Sequence, residues 1–297
     1  MLNTQTSTQD AAMPDATPLD SQGLEKAYYR LYRDFFDQAE KKRRWSLRDD
    51  IPWDQVNPAM DPAVADIVES FCAVELYLPD YIAKNLPRMR DKRGRAWFYA
   101  NWGYEESKHS LALGDWLLRS GLRTEEQMAD LEKEVFQHEW NLPHDDPLGM
   151  VIYGMVQELA TWLNYRNLRH RVDERGDPAL SKLLGLIQVD ERAHHDFYRR
   201  ITMMYLERDR AGTVEQLRRV IGSFAMPALY MLAESRRRVE AIKALNVFDS
   251  DIFYRDVVRP LLETLGITWS EFRMRNPQRK GLATSASTLT AGPVRPR

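Results

Sequence analysis

One cysteine, Cys72, serves a chain of 297 residues. That excludes an internal disulfide framework and the clustered thiolates of an iron–sulfur centre, so any electrons the protein uses must come from another molecule. Long hydrophobic runs are missing as well. No stretch approaches the roughly 18 apolar residues needed to span a bilayer. Charge of one sign is not in excess either: 42 Lys and Arg stand against 44 Asp and Glu, a balance that gives no reason to expect nucleic acid as a partner. Residues 1–21 are rich in Thr, Gln, Asp and Pro without an apolar centre, so they do not read as a signal peptide. The expectation is a soluble, cytoplasmic protein. Strand-like alternation and solenoid repeats are absent too.

What remains is helical patterning nearly throughout. Residues 1–22 and 276–297 have the polar, Pro- or Gly-containing composition of disordered tails, which leaves 23–275 as one domain. Leu24, Tyr28, Leu31, Phe35 and Phe36 recur at helical spacing over 23–45, and the run Lys41-Lys42-Arg43-Arg44 suits that helix's C-terminal end. A Pro-containing loop over 44–62 follows. Further helices are expected at 62–86, 93–120, 124–141, 147–173, 178–209, 214–223, 227–246, 249–265 and 269–274, with breaks at Pro and Gly signals. The fold class is therefore all-α. Four long helices joined by short turns favour an antiparallel bundle with the later helices packed around it.

The chemistry lies in an echo between two of those helices. The stretch Trp102-Gly103-Tyr104-Glu105-Glu106-Ser107-Lys108-His109 carries Glu-x-x-His, and Asp190-Glu191-Arg192-Ala193-His194 carries it again. Positions three apart share a helix face, so Glu106 with His109, and Glu191 with His194, can each grip one metal ion. The helix before each motif holds a lone acid in an apolar run, Glu75 in one and Glu158 in the other. An unpaired buried carboxylate costs several kcal/mol unless something compensates it. The order Glu, Glu-x-x-His, Glu, Glu-x-x-His is the ligand pattern of ferritin-like di-iron bundles. Four carboxylates balance two Fe²⁺ ions, and carboxylate with imidazole suits iron or manganese. Glu105, four residues before His109, is an alternative to Glu106.

These motifs resemble the soluble acyl-carrier-protein desaturases of the stearoyl type, from about residue 45 to 265. Glu-Glu-x-x-His and Asp-Glu-x-x-His match that family's iron motifs, Gln157-Glu158-x-x-Thr161 its third ligand segment, Trp45-x-x-x-Asp49-x-x-Pro52 an early loop, and Phe224-x-Met226-Pro227 a late signature. Where the family has two adjacent acids before Leu-Pro, this chain has Glu75 alone. The resemblance implies two iron ions held by Glu75, Glu106, His109, Glu158, Glu191 and His194. It also implies O₂ as co-substrate, a ferredoxin-like electron donor, an acyl chain carried on acyl carrier protein, and a homodimer. It makes Thr161 a hydroxyl near the oxygen site and Trp45, Asp190 and His109 a path for electrons, and it sets Trp102 beside the irons.

Other residues read more plainly. His195 points about 100° away from its neighbour His194. His138, His144 and His170 fall outside any ligand spacing, and Cys72 reads as a small core residue. The basic segment from Arg88 through Arg90, Lys92 and Arg93 to Arg95 is either solvated charge or a dock for an acidic carrier. Alternatives to desaturation are a hydroxylase or N-oxygenase on the same centre, a ferritin-like iron binder, or a radical-generating protein using Tyr104.

Overall fold

The computed structural model describes residues 21–274, and all the regular structure among them is helical. The expected tails lie outside those residues, apart from Ser21 and Gln22, which open the first helix, α1 (Ser21–Lys42). The bundle is built from α2 (Pro62–Glu75), α4 (Arg93–Arg119), α6 (Pro147–Asp173) and α7 (Pro178–Arg208), with the short α3 (Leu78–Asn85) following α2.

Three of these helices start the same way. Asp61, Asp146 and Asp177 each accept a hydrogen bond from an early backbone N–H, and each is followed by a proline whose missing donor costs nothing in a first turn. The α6–α7 hairpin closes through Gly176 at φ 72°, a left-handed position that glycine adopts without strain. The antiparallel α6–α7 and α2–α4 pairs pack face to face, and α1 lies across α4 and α7. The shell is completed by α5 (Glu125–Val135), α8 (Arg210–Gly222), α9 (Ser235–Ala244), α10 (Ser250–Ile252), α11 (Arg259–Thr264) and α12 (Trp269–Arg273).

Three expected helices come out interrupted or rewound, and the one expected over 124–141 ends early, at Val135. The one expected over 62–86 breaks after Glu75, because Pro79 cannot donate to the Glu75 carbonyl and its ring crowds that turn. The first bundle strut is thus two pieces, with Glu75 on the last turn of the first. The expected helix 227–246 shrinks to a 3-10 turn at Leu229–Met231 and α9, with Ala228 and Glu234 in the left-handed region at φ 55° and 54°. The helix expected over 249–265 contains a π-helical stretch, Phe253–Val258, just ahead of Pro260. A wider turn there re-routes the bonds that proline cannot make.

The core divides into two apolar layers. One is aromatic, with Phe98 and Phe197 stacked at 3.6 Å; the other gathers Leu113, Trp116, Tyr165, Leu180 and Ile187. The acidic and imidazole groups of the two motifs, Glu105, Glu106, His109, Asp190, Glu191 and His194, are buried as well.

Candidate metal centre

Four helices deliver their polar side chains to one dry point. Atoms able to ligate, one each from Glu75, Glu106, His109 and Glu191, lie within 4.8 Å of one another, as do those from Glu106, Glu158, Glu191 and His194. Glu106 and Glu191 belong to both groups. All six residues expected from the sequence therefore meet, in two pockets that share two carboxylates. Each unshared carboxylate has one oxygen held from outside: the Tyr165 hydroxyl donates to Glu75 Oε1 at 2.8 Å, and Trp102 Nε1 donates to Glu158 Oε1 at 3.0 Å.

The two histidines are oriented by a crossed arrangement. His194 Nε2 lies 2.7 Å from Glu105 Oε2, and His109 Nε2 lies 3.5 Å from Asp190 Oδ2. Each outer acid precedes a shared glutamate on its own helix yet faces the histidine of the other. Burial alone would raise Glu105, but His194 and then Arg43 hold its carboxyl below the usual range; Asp190 is lowered against the same burial by His109. An ionised carboxylate can only accept, so His194 Nε2 carries the hydrogen and Nδ1 is left to ligate. Glu105, weighed against Glu106 in the sequence, takes this outer position.

The residues fit a pair of divalent ions. Among the described residues, buried polar side-chain atoms without a hydrogen-bond partner number eleven; six face the cluster, namely Glu106 Oε1, His109 Nδ1, Glu158 Oε2, both oxygens of Glu191 and His194 Nδ1, and a seventh, His109 Nε2, faces Asp190 at 3.5 Å. Buried polar groups are otherwise satisfied almost without exception, so such a concentration marks where ions belong. Protonation tells the same story. Burial, then the charge of Glu106, pushes Glu75 well above the ordinary carboxylate value, and burial, then Glu191, does the same to Glu158. His109 and His194 are raised well above theirs against burial, His109 chiefly by Glu106 and His194 chiefly by Glu105. Without cations the cluster can be buried only by holding protons.

Residues 65–279 match the family described as fatty acid desaturase. The chain belongs to that family. It is 27% identical over 170 residues to an acyl-[acyl-carrier-protein] desaturase named DesA1 of Mycobacterium tuberculosis, covering 54% of this chain and 49% of that one. It is 32% identical over 149 residues to the chloroplastic stearoyl-[acyl-carrier-protein] 9-desaturase 6 of Arabidopsis thaliana, covering 46% and 37%. The chain thus spans about half or less of the length of the curated relatives it matches. Among solved structures, DesA2 of M. tuberculosis, titled an acyl-ACP desaturase, superposes with a TM-score of 0.64 at 14% identity, over 82% of this chain and 95% of that one. An R2-like ligand-binding oxidase gives 0.54 at 15%, over 81% and 93%. These likenesses establish the fold, a ferritin-like four-helix bundle with additional helices.

Around the centre of this fatty acid desaturase family member opens a cavity of about 1080 Å³. Glu75, Glu106, Trp102 and Thr161 line it beside Phe71, Val74, Val151 and Phe197. Its lining follows α6 from Pro147 to Tyr165, about 27 Å at 1.5 Å per residue. At one end stand Ser21, Arg88, Lys92 and Arg208, at the other Arg236, Glu240, Lys243 and Asp249. Trp45 Nε1 donates to Asp190 Oδ2 at 2.7 Å, so Trp45, Asp190 and His109 are contiguous. Thr161 accepts from Gln157 Nε2 at 3.3 Å.

Other candidates fall elsewhere. Tyr104 is 54% exposed beneath Arg44 and faces away from the centre. Tyr165 is the tyrosine that reaches it, and nothing in the local sequence marked it, because its partner lies 90 residues away. His195 is buried, with Nδ1 2.8 Å from the Met155 carbonyl, and burial pushes it down to about 4. Of the basic segment, Arg93 stacks over Trp97 and Tyr29, and Arg95 pairs with Glu25.

Proposed function

We infer that the chain is a di-iron desaturase that introduces a double bond into an acyl chain carried on acyl carrier protein. The observation that carries this reading is the pair of four-residue groups sharing Glu106 and Glu191 at the wall of a long, mostly apolar cavity. Family membership and the names of the relatives, acyl-[acyl-carrier-protein] desaturases, support the substrate class. The reaction balances as R–CH₂–CH₂–R′ + O₂ + 2 e⁻ + 2 H⁺ → R–CH=CH–R′ + 2 H₂O.

Unactivated methylenes offer neither an acidic proton nor an electrophile, so two irons, when bound, would supply O₂ reduction and hydrogen abstraction. Glu75 and His109 would hold one and Glu158 and His194 the other, with Glu106 and Glu191 available to both. The chain's own groups do the rest. Tyr165 and Trp102 fix the unshared carboxylates, and Glu105 and Asp190 set the imidazoles. The cavity walls align the methylenes and exclude water. Electrons from a ferredoxin-like donor would enter by Trp45, which is buried under Lys108 and hydrogen-bonded to Asp190.

A second copy is the partner we assign to the outer face of α4. Trp97, Tyr104, Leu111 and Leu118 recur every seven residues there and are 46%, 54%, 60% and 37% exposed. The small residues Ala100, Ser107 and Gly114 alternate with them. An antiparallel copy sets Trp97 against Gly114, Tyr104 against Ser107 and Leu111 against Ala100, each knob over a hole. Sedimentation of the purified protein should give twice the chain mass, and Leu111→Arg should halve it. A monomeric parent protein would remove this partner.

The decisive experiment supplies iron, a ferredoxin with its reductase, and a panel of acyl-carrier thioesters. Alkene without oxygenated product is expected; a hydroxylated or N-oxygenated product would replace desaturation by oxygen insertion. About two irons per chain should be found, with substantial loss in His109→Ala and in His194→Ala. Full occupancy in both variants would sink the centre. One observation favours a radical-generating role as the second reading, the Tyr165 hydroxyl on Glu75. Electron paramagnetic resonance after oxygenation would reveal a tyrosyl radical that Tyr165→Phe abolishes.

A further inference from the structure

Arg43 stands just past the end of α1, with its side chain 9% exposed and its guanidinium 4.7 Å over the Phe35 ring. One arm, Nη1, donates to Asp190 Oδ1 at 2.6 Å; the other, Nη2, donates to Glu105 Oε1 at 3.2 Å. Those are the two outer acids of the crossed arrangement, each facing the histidine of the opposite motif helix. A single planar fork therefore ties together the outer partners of both proposed iron-ligating imidazoles. Arg44 reaches only one of them, with Nη1 2.5 Å from Glu105 Oε1.

Charge makes the same point. The four inner carboxylates match two divalent ions, which leaves Glu105 and Asp190, both 1% exposed, as two further buried anions. Arg43 and Arg44 are the cations in contact with them. A buried anion without a partner is strongly destabilising, so these acids can stay ionised opposite the two imidazoles only while the arginines stay. Guanidinium geometry matters because a fork can grip two carboxylates at once, whereas an ammonium is a point charge.

We propose that Arg43 is the positioning residue for both histidines. It clamps Glu105 to Asp190, so that His194 Nε2 keeps its acceptor, the Asp190 carboxylate stays opposite His109 Nε2 at 3.5 Å, and both Nδ1 atoms face the cluster. The inference rests on the metal-centre reading above. It also explains why the chain can present two ligand histidines from two different helices in one matched orientation. Loss of the clamp loosens both pockets together, whereas loss of either acid loosens the pocket of its own histidine first.

The test compares the full-length parent protein with Arg43→Met, Arg43→Lys, Arg44→Met, Glu105→Gln and Asp190→Asn. Circular dichroism gives the fold, competitive chelation gives ferrous iron affinity, and Mössbauer spectra after loading resolve the two iron environments. Removing an outer partner of a ligand histidine lowers metal affinity by about 10- to 100-fold. Arg43→Met should show that loss, with both iron signals altered together. Arg43→Lys should recover part of it, and Arg44→Met should perturb chiefly one signal. Wild-type affinity and spectrum in Arg43→Met would overturn the proposal. Should that variant not fold, the same result in Arg43→Lys would overturn it. A parent protein that binds no iron would instead overturn the metal-centre reading on which the proposal depends.

Discussion

Thr161 shows how one hydroxyl separates structure from chemistry. Two other helical threonines turn back on their own turn: Thr202 donates to the Tyr198 carbonyl at 3.0 Å and Thr264 to the Pro260 carbonyl at 2.7 Å. Thr161 instead accepts from Gln157 and lines the cavity three residues after Glu158. Thr161→Val keeps the shape and removes only the hydroxyl. Iron content should stay normal while alkene formed per electron falls and peroxide appears. Unchanged coupling would strip Thr161 of that role. At this scale the sequence was readable wherever chemistry repeated at helical spacing, which is why Glu106, His109, Glu191 and His194 could be named first. Arg43 was hidden inside a basic run that reads equally well as charge at a helix end. Tyr165 was hidden because its partner Glu75 is adjacent only once α2 and α6 pack.

Elements were legible where a start signal was chemical and less so where only periodicity spoke. The prolines at 62, 147 and 178 marked the starts of α2, α6 and α7 to the residue, whereas the apolar period ran straight through the break at Leu76 and Tyr77 that Pro79 enforces. The basic junction between α3 and α4 also divides on inspection. Arg88, Lys92 and Arg95 line the cavity, with Lys92 3.1 Å from Asp91 and Arg95 paired with Glu25, whereas Arg93 is stacked on Trp97. An acidic carrier protein would be drawn to Arg88 and Lys92, since complementary charge steers association. Reversing Arg88 and Lys92 to Glu should therefore raise KM for carrier-bound substrate several-fold and flatten its salt dependence. Reversal of Arg236 and Lys243, at the opposite end, is the comparison. A rise in KM there alone would move the carrier to the α9 end.

For the molecule as a whole, the metal centre ties loading to pH. In the metal-free fold Glu75 and Glu158 are raised well above ordinary carboxylate values by burial and then by neighbouring carboxylates. His109 and His194 are raised well above the ordinary imidazole value by their acids. Raised groups hold protons that ligation must expel, so iron uptake releases protons and strengthens as pH rises. Calorimetry in two buffers of different ionisation enthalpy should report net proton release on ferrous iron binding, and an acid shift should weaken retention. Zero net release would mean that the inner groups are already ionised. No helix among the described residues is long and apolar enough to cross a membrane.

The sharing of Glu106 and Glu191 sets an order of events during synthesis. Each pocket draws on α7 for one ligand at least, and α7 is the last of the bundle helices to be made. A nascent chain ending at α6 would hold Glu75, Glu106, His109 and Glu158, yet neither pocket would be complete. Iron can therefore enter only after α7 has left the ribosome and docked, and a tightly held pair of ions becomes a certificate that the two halves of the chain have met.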